Sequence, residues 1–117
     1  MTPTPIAKLA KELQLPINES ADINQPDFVE YFGSLKLDVL LVAAFGQKLG
    51  SAYLGSSDFR TINLHGSLLP KYRGAAPINW AIIKGEKQTG LTVIELNEIW
   101  DAGDILGQVS TAIKPGE

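Results

Sequence analysis

The stretch from Asp38 to Phe45, DVLLVAAF, limits what this chain can fold into more than any other. A strand with one wet face alternates apolar and polar residues. An unbroken apolar run bounded by polar segments reads instead as a strand covered on both faces of a parallel sheet. Helical signals lie to either side. Pro5 suits a first helical turn, and Ile6, Leu9, Ala10 and Leu13 recur at helical spacing, so residues 5–14 read as a helix with one buried face. LPIN at 15–18 reads as a short strand. Asn24 suits the cap of a second helix from about Pro26, with Phe28, Phe32 and Leu35 as its buried stripe.

Beyond the apolar run, RTINLH at 60–65 reads as a further strand, and Ala76 and Pro77 open a helix that Gly85 stops after Lys84. Residues 89–96, TGLTVIEL, and 105–113, ILGQVSTAI, are rich in β-formers. NEIWDAGD joins them, with a turn at Asp101 to Gly103. The alternation predicts an open, mostly parallel, Rossmann-like α/β sheet, with residues 1–117 forming one partial domain. Open α/β domains usually begin with a strand and its phosphate-facing turn. This chain begins in a helix and holds no G-x-G-x-x-G, so the sheet is expected to be incomplete at the N-terminus. The strand at 38–45 then becomes an open edge without proline, and self-association through that edge is the expected result.

Charge and residue usage narrow the partners. Ten Lys and Arg against 13 Asp and Glu give a formal charge of −3, which offers no broad attraction for nucleic acid phosphates. Cysteine is absent, which excludes disulfides and thiolate metal sites, and no carboxylate spacing suggests a metal. With no long apolar stretch and no signal-peptide pattern, the expected compartment is the cytoplasm.

The single histidine stands in INLHGSLLPKYRG. In an open parallel sheet, ligands bind outside the carboxyl ends of the strands. Asn63 and His65 lie at such an end, and strand alternation puts them on one face. An amide and an imidazolium both donate hydrogen bonds, so the pair can stabilise an oxyanion, and the imidazole can also move a proton. A carboxylate partner is wanted; Asp101 is the candidate, with Asp104 expected to start the following strand. Lys71 and Arg73 read equally as anion contacts or as a solvated loop pair. Trp80 is expected to pack against the core.

NLHGSLLPKYRGAAP, followed by KGEKQTGLTVIELNEIWDAGDIL, resembles the catalytic region of the formyltransferases that use 10-formyltetrahydrofolate. LVAAFGQKL is similar to that family's strand and loop before the histidine, and YRGAAPI is similar to the run found in members acting on methionyl-tRNA in translation initiation. The resemblance implies a catalytic trio. Asn63 and His65 would hold the formyl oxygen as it becomes an oxyanion, and Asp101 would set the histidine's charge and relay the amine's proton. It also implies that Ser67, Leu68, Leu69 and Pro70 lie beside the folate. The backbone of Val42, Ala43, Ala44 and Phe45 and the loop around Trp100 would line the pterin slot. The cosubstrate implied is 10-formyltetrahydrofolate, without a metal, and the acceptor methionyl-tRNA. An amino sugar nucleotide or glycinamide ribonucleotide is the alternative acceptor, since those relatives share the trio; a non-catalytic subunit with a partial folate site is the other alternative. Family members begin with a strand-helix-strand unit before the point where Met1 stands, and the tRNA-directed members continue into a C-terminal β-barrel; neither is expected here. Trp100 replaces a small or aliphatic residue of the family, and Gly50 a common proline.

Overall fold

A computed structural model describes residues 3–117. Four strands, β1 (Val39–Ala43), β2 (Arg60–His65), β3 (Gln88–Glu95) and β4 (Ile105–Ala112), form one open sheet in that order. Helices α1 (Pro5–Glu12) and α2 (Pro26–Ser34) precede it, and α3 (Pro77–Ile83) lies between β2 and β3. Local chemistry accounts for the helix starts. Each opens with proline at its first position, where a missing amide proton costs nothing. Thr4 also caps α1, its Oγ1 accepting from the Ala7 amide at 3.2 Å.

The open α/β sheet is the one expected, but its parallel share is smaller. The β1–β2 pair is parallel, whereas β2–β3 and β3–β4 are antiparallel. Two connections explain this. Helix α3 has seven residues and is about 10 Å long, too short to carry the chain back along the sheet, so β3 starts at the end where β2 stops. Residues 96–104 fall short of the dozen or so that a parallel crossover needs.

The N-terminal segments depart further from expectation. LPIN forms no strand; residues 15–18 are irregular and exposed, with the Leu15 amide donating to Ala10 O at 2.8 Å as the end of α1 unwinds. Asn24 does not cap α2. Its side chain is committed elsewhere, donating to Lys48 O at 3.0 Å and accepting from the Gly50 amide at 2.8 Å, and Gln25 stands at the cap. Of the α2 stripe, Phe28 and Phe32 are half-buried, but Leu35 is exposed at the helix end. Strand β1 is not covered on both faces: Leu40 and Val42 are half-buried, while Val39, Leu41 and Ala43 point to an open side. Leu41 and Ala43 border an open apolar depression shared with Phe28 and Phe32 of α2, which leaves both exposed.

The core sits where β2 and β3 meet the loops beyond their ends. Ile94 and Thr92 are fully buried on β3, opposite Asn63 and His65 of β2. Tyr53 closes this face from the segment before β2. It is 2% exposed, stacks edge-on with Phe32 at a centroid distance of 5.4 Å, and donates its phenol to Ile23 O at 2.5 Å. Burying a side chain such as Ile94 contributes about 1.5–3 kcal/mol. Helix α3 packs against β3 with Ala81 as its buried residue, and Trp80 is half exposed on its outer side, contrary to the expectation that it packs inward. A seven-residue helix has room for a narrow buried stripe, and the small Ala81 takes it.

Candidate active site

Asn63 and His65 share the buried face of β2, as strand alternation requires. Asn63 lies in register with Val42 on one side and Ile94 on the other, so its backbone is locked between two strands. His65 ends the strand at 5% exposure, opposite Thr92. Asp101, 6% exposed, comes from the loop between β3 and β4, and its Oδ1 lies 3.5 Å from His65 Nδ1. The fold therefore joins the three residues that residue chemistry singled out.

The chain between Gly66 and Gly74 folds over this face and holds both ionisable groups. His65 Nε2 lies 2.7 Å from the carbonyl oxygen of Tyr72, and the Gly74 amide donates to Asp101 Oδ2 at 2.7 Å. A carbonyl oxygen can only accept, so Nε2 carries the hydrogen in the neutral as well as the charged imidazole. Nδ1 is then the nitrogen left to face Asp101. At 3.5 Å the two are just beyond hydrogen-bond length, and a proton on Nδ1 would make them an ion pair in a site that excludes water.

The loop itself is tightly fastened. Ser67 Oγ donates to Lys71 O at 2.6 Å, and Thr92 Oγ1 donates to Ser67 O at 2.6 Å while accepting from the Leu69 amide at 3.1 Å. Gln108 Nε2 on β4 adds a bond to Leu69 O at 2.8 Å. The Leu69–Pro70 peptide is cis. Three non-glycine residues around the site, Ala44, Tyr72 and Asp101, have left-handed backbones with φ of 49°, 56° and 50°. Each such residue costs about 1–2 kcal/mol, and strain of this kind persists where surrounding bonds over-determine it. Gly103 has a different task. A Cβ there would collide with the Glu95 carbonyl, so only glycine lets the Asp101 turn lie against the end of β3.

A cleft of about 450 Å³, open mouth included, runs beside the pair at the carboxyl ends of β1 and β2. Val42, Phe45, Asn63, Trp100 and Asp101 line it, together with Leu49, Leu54 and Leu96. Its polar rim is Gln47, Lys48, Asn97 and Glu98. Sequence reading missed Leu49, Leu54 and Leu96 as individual residues. Leu96 directly follows β3 and carries a positional signal, whereas Leu49 and Leu54 lie further along the segment between β1 and β2 and carry none. The remaining expected folate-side residues lie elsewhere. Ala43 faces a second apolar depression with Phe28 and Phe32, and Ala44 marks the backbone bend at the end of β1. Ser67 and Leu69 are buried in the loop's own packing, while Leu68 and Pro70 line a separate depression with Lys71, Tyr72 and Glu86.

Lys71 and Glu86 form an ion pair at 3.1 Å, and the Tyr72 phenol donates to the same Glu86 oxygen at 2.8 Å. The phenol bond, then Lys71, holds the Glu86 carboxyl below its ordinary range, and the same bond raises the Tyr72 phenol. Burial raises the Tyr53 phenol, with Asp22 adding to it. Among the described residues no group of three His, Cys, Asp or Glu could hold a metal ion, and no helix is long and apolar enough to cross a membrane.

Asn63 and Asp101 line an apolar cleft at strand ends, with His65 behind Asp101, which is where open α/β sheets bind ligands. The sequence profile of the formyl transferase family matches residues 2–117, and the chain belongs to that family. It is 44% identical over 106 residues to a methionyl-tRNA formyltransferase of Halothermothrix orenii, covering 91% of this chain and 34% of that protein. It is 46% identical over 114 residues to the same enzyme of Chlorobium chlorochromatii, covering 97% of this chain and 36% of that protein. The chain thus spans about a third of the length of these relatives. Among solved structures, the phosphoribosylglycinamide formyltransferase of Bacillus halodurans shares its fold, with a TM-score of 0.82 at 24% identity over 100% of this chain and 64% of that one. HypX of Aquifex aeolicus, in complex with tetrahydrofolic acid, matches 74% of this chain and 15% of that one, with a TM-score of 0.64 at 29% identity.

Proposed function

We propose that the chain carries the centre that transfers a formyl group from 10-formyltetrahydrofolate to the amino group of methionyl-tRNA, a cytoplasmic step of translation initiation. The observation that carries this reading is the convergence of Asn63, His65 and Asp101 beside one apolar cleft. The cleft suits a flat heterocycle, with Val42, Phe45 and Trp100 among its walls and backbone at hand for polar ring edges. The acceptor amine attacks the formyl carbon. The carbonyl oxygen becomes an oxyanion held by the Asn63 amide and the Nδ1–H of His65. Asp101, whose Oδ1 lies 3.5 Å from Nδ1, takes the proton released by the amine. Collapse of the intermediate re-forms the carbonyl and breaks the bond to N10 of the folate, which takes the proton held by Asp101 and leaves as tetrahydrofolate.

The named relatives support methionyl-tRNA as the acceptor. The fold shared with phosphoribosylglycinamide formyltransferases supports glycinamide ribonucleotide as the second reading. Incubation with 10-formyltetrahydrofolate and each acceptor in turn, with formylated product measured by mass spectrometry, separates them. Formylmethionyl-tRNA that disappears in His65→Ala is the expected result. Product from the ribonucleotide alone gives the second reading, and no product from either leaves a folate-site subunit without catalysis.

A further inference from the structure

The imidazole of His65 has two ends, and Asp101 accounts for one. The other is held by Tyr72, through its carbonyl and not its side chain. In a left-handed residue the direction of that carbonyl depends on the turn being kept in place, and Tyr72 has φ 56°. The phenol keeps it. Its O–H donates to Glu86 Oε1 at 2.8 Å, and Lys71 Nζ, the cation paired with that carboxylate, donates to the same atom at 3.1 Å. Glu86 in turn sits on a fixed corner. It follows Gly85, which ends α3 at φ 68°, and its amide donates to Ala81 O at 3.0 Å. Its side chain is a quarter exposed and touches neither His65 nor the cleft.

We infer that Glu86 is a positioning residue for His65: by holding the Tyr72 phenol it keeps the Tyr72 carbonyl on Nε2 and so reserves Nδ1 for proton exchange. The chemical consequence rests on the formyl-transfer reading above; the geometric claim does not. If the phenol lets go, the turn relaxes, the carbonyl leaves Nε2, and the neutral imidazole can carry its hydrogen on either nitrogen. With that anchor gone the ring is no longer fixed with Nδ1 aimed at Asp101, and the Nδ1–H that meets the oxyanion loses its place.

His65 is the only histidine, so its tautomer can be read without assignment ambiguity in the 15N-labelled chain by long-range 1H–15N correlation at alkaline pH. The unsubstituted chain should show the Nε2–H form. Glu86→Ala and Tyr72→Phe should show a mixture of both forms and a kcat lowered about ten- to a hundredfold, with KM for the formyl donor held within about twofold. Glu86→Gln keeps an oxygen that accepts from the phenol, and should recover most of both losses. If Glu86→Ala fails to fold, Tyr72→Phe and Glu86→Gln decide the matter. A pure Nε2–H tautomer in Glu86→Ala and Tyr72→Phe overturns the inference, even where kcat falls, because it shows that the carbonyl holds without the anchor. A tautomer that responds as described in a chain that formylates neither acceptor removes the functional reading and leaves the positioning role standing.

Discussion

The two halves of the molecule are built differently. Between β2 and β4 the buried polar groups are paired several times over: Thr92 alone bonds Ser67, Leu69 and Gln108. Between α1 and β1 the opposite holds. Helix α1 buries no residue, with Ile6 at 76% and Leu13 at 61% exposure, and β1 has one open side and one open edge. The difference shows that the candidate site draws its rigidity from the second half and takes from the first mainly the wall offered by Val42 and Phe45.

The sharpest way to break that contrast is at the site itself. His65→Ala and Asp101→Ala should each lower kcat for formyl transfer by at least about a hundredfold, since each removes an oxyanion or proton-transfer group, while circular dichroism stays unchanged. Normal turnover in either would take that residue out of the mechanism. Next is the loop that carries the site. Thr92→Val conserves volume but strips partners from the buried Leu69 amide and Ser67 carbonyl, and should cost about 2–3 kcal/mol in urea unfolding. A loss under half that size would mean the loop is held by its packing.

At the other half, two neighbouring residues of β1 should respond in opposite ways. Val42→Lys puts a charge against the half-buried face and should destabilise the fold by about 2 kcal/mol. Leu41→Lys lies on the open side and should change stability by less than about 0.5 kcal/mol while reducing self-association through the β1 edge, read by light scattering over a concentration series. Equal association in the two folded proteins would place the contact elsewhere.

The smallest effect concerns the surface pairs. Arg60 and Glu95 meet at 2.5 Å but both are well exposed, so Arg60→Ala should leave the urea midpoint unchanged within error. Glu86 differs, because the Tyr72 phenol and then Lys71 hold its carboxyl below the ordinary 4.5. Its contribution is complete above that value and is lost as the pH falls through the lowered one, so any decline of the urea midpoint below about pH 4.5 should be smaller in Glu86→Gln.

Much of this was legible in the sequence, and what was not has physical reasons. Helix starts at Pro5, Pro26 and Pro77, strands at the apolar runs, and Asn63 with His65 at one strand end follow from local periodicity and from where open sheets bind ligands, whereas Asp101 as their partner came from the family resemblance of its loop. Strand direction did not follow, because whether β3 runs with or against β2 depends on the path of the whole connection between them, of which Pro77 and Gly85 mark only the helix. The open side of β1 was hidden for a related reason: an apolar run states what a strand can bury, while coverage depends on neighbouring layers. The bonds of Ser67 and Thr92 escaped because each meets backbone atoms of a loop whose path only the tertiary structure defines, and that of Glu86 because its partner is the Tyr72 phenol on the same loop.

The irregular stretch at 15–18 also bears on how the chain would come apart. Its residues are exposed, and its recorded ties are a Leu15 amide bond back to α1 and one from Asn18 Nδ2 to the Tyr31 phenol at 2.5 Å. A protease meeting the folded protein would find there a segment able to enter its groove without any unfolding of the sheet. The first helix would be shed as a peptide, and the remaining body would keep every bond that fastens His65 and Asp101.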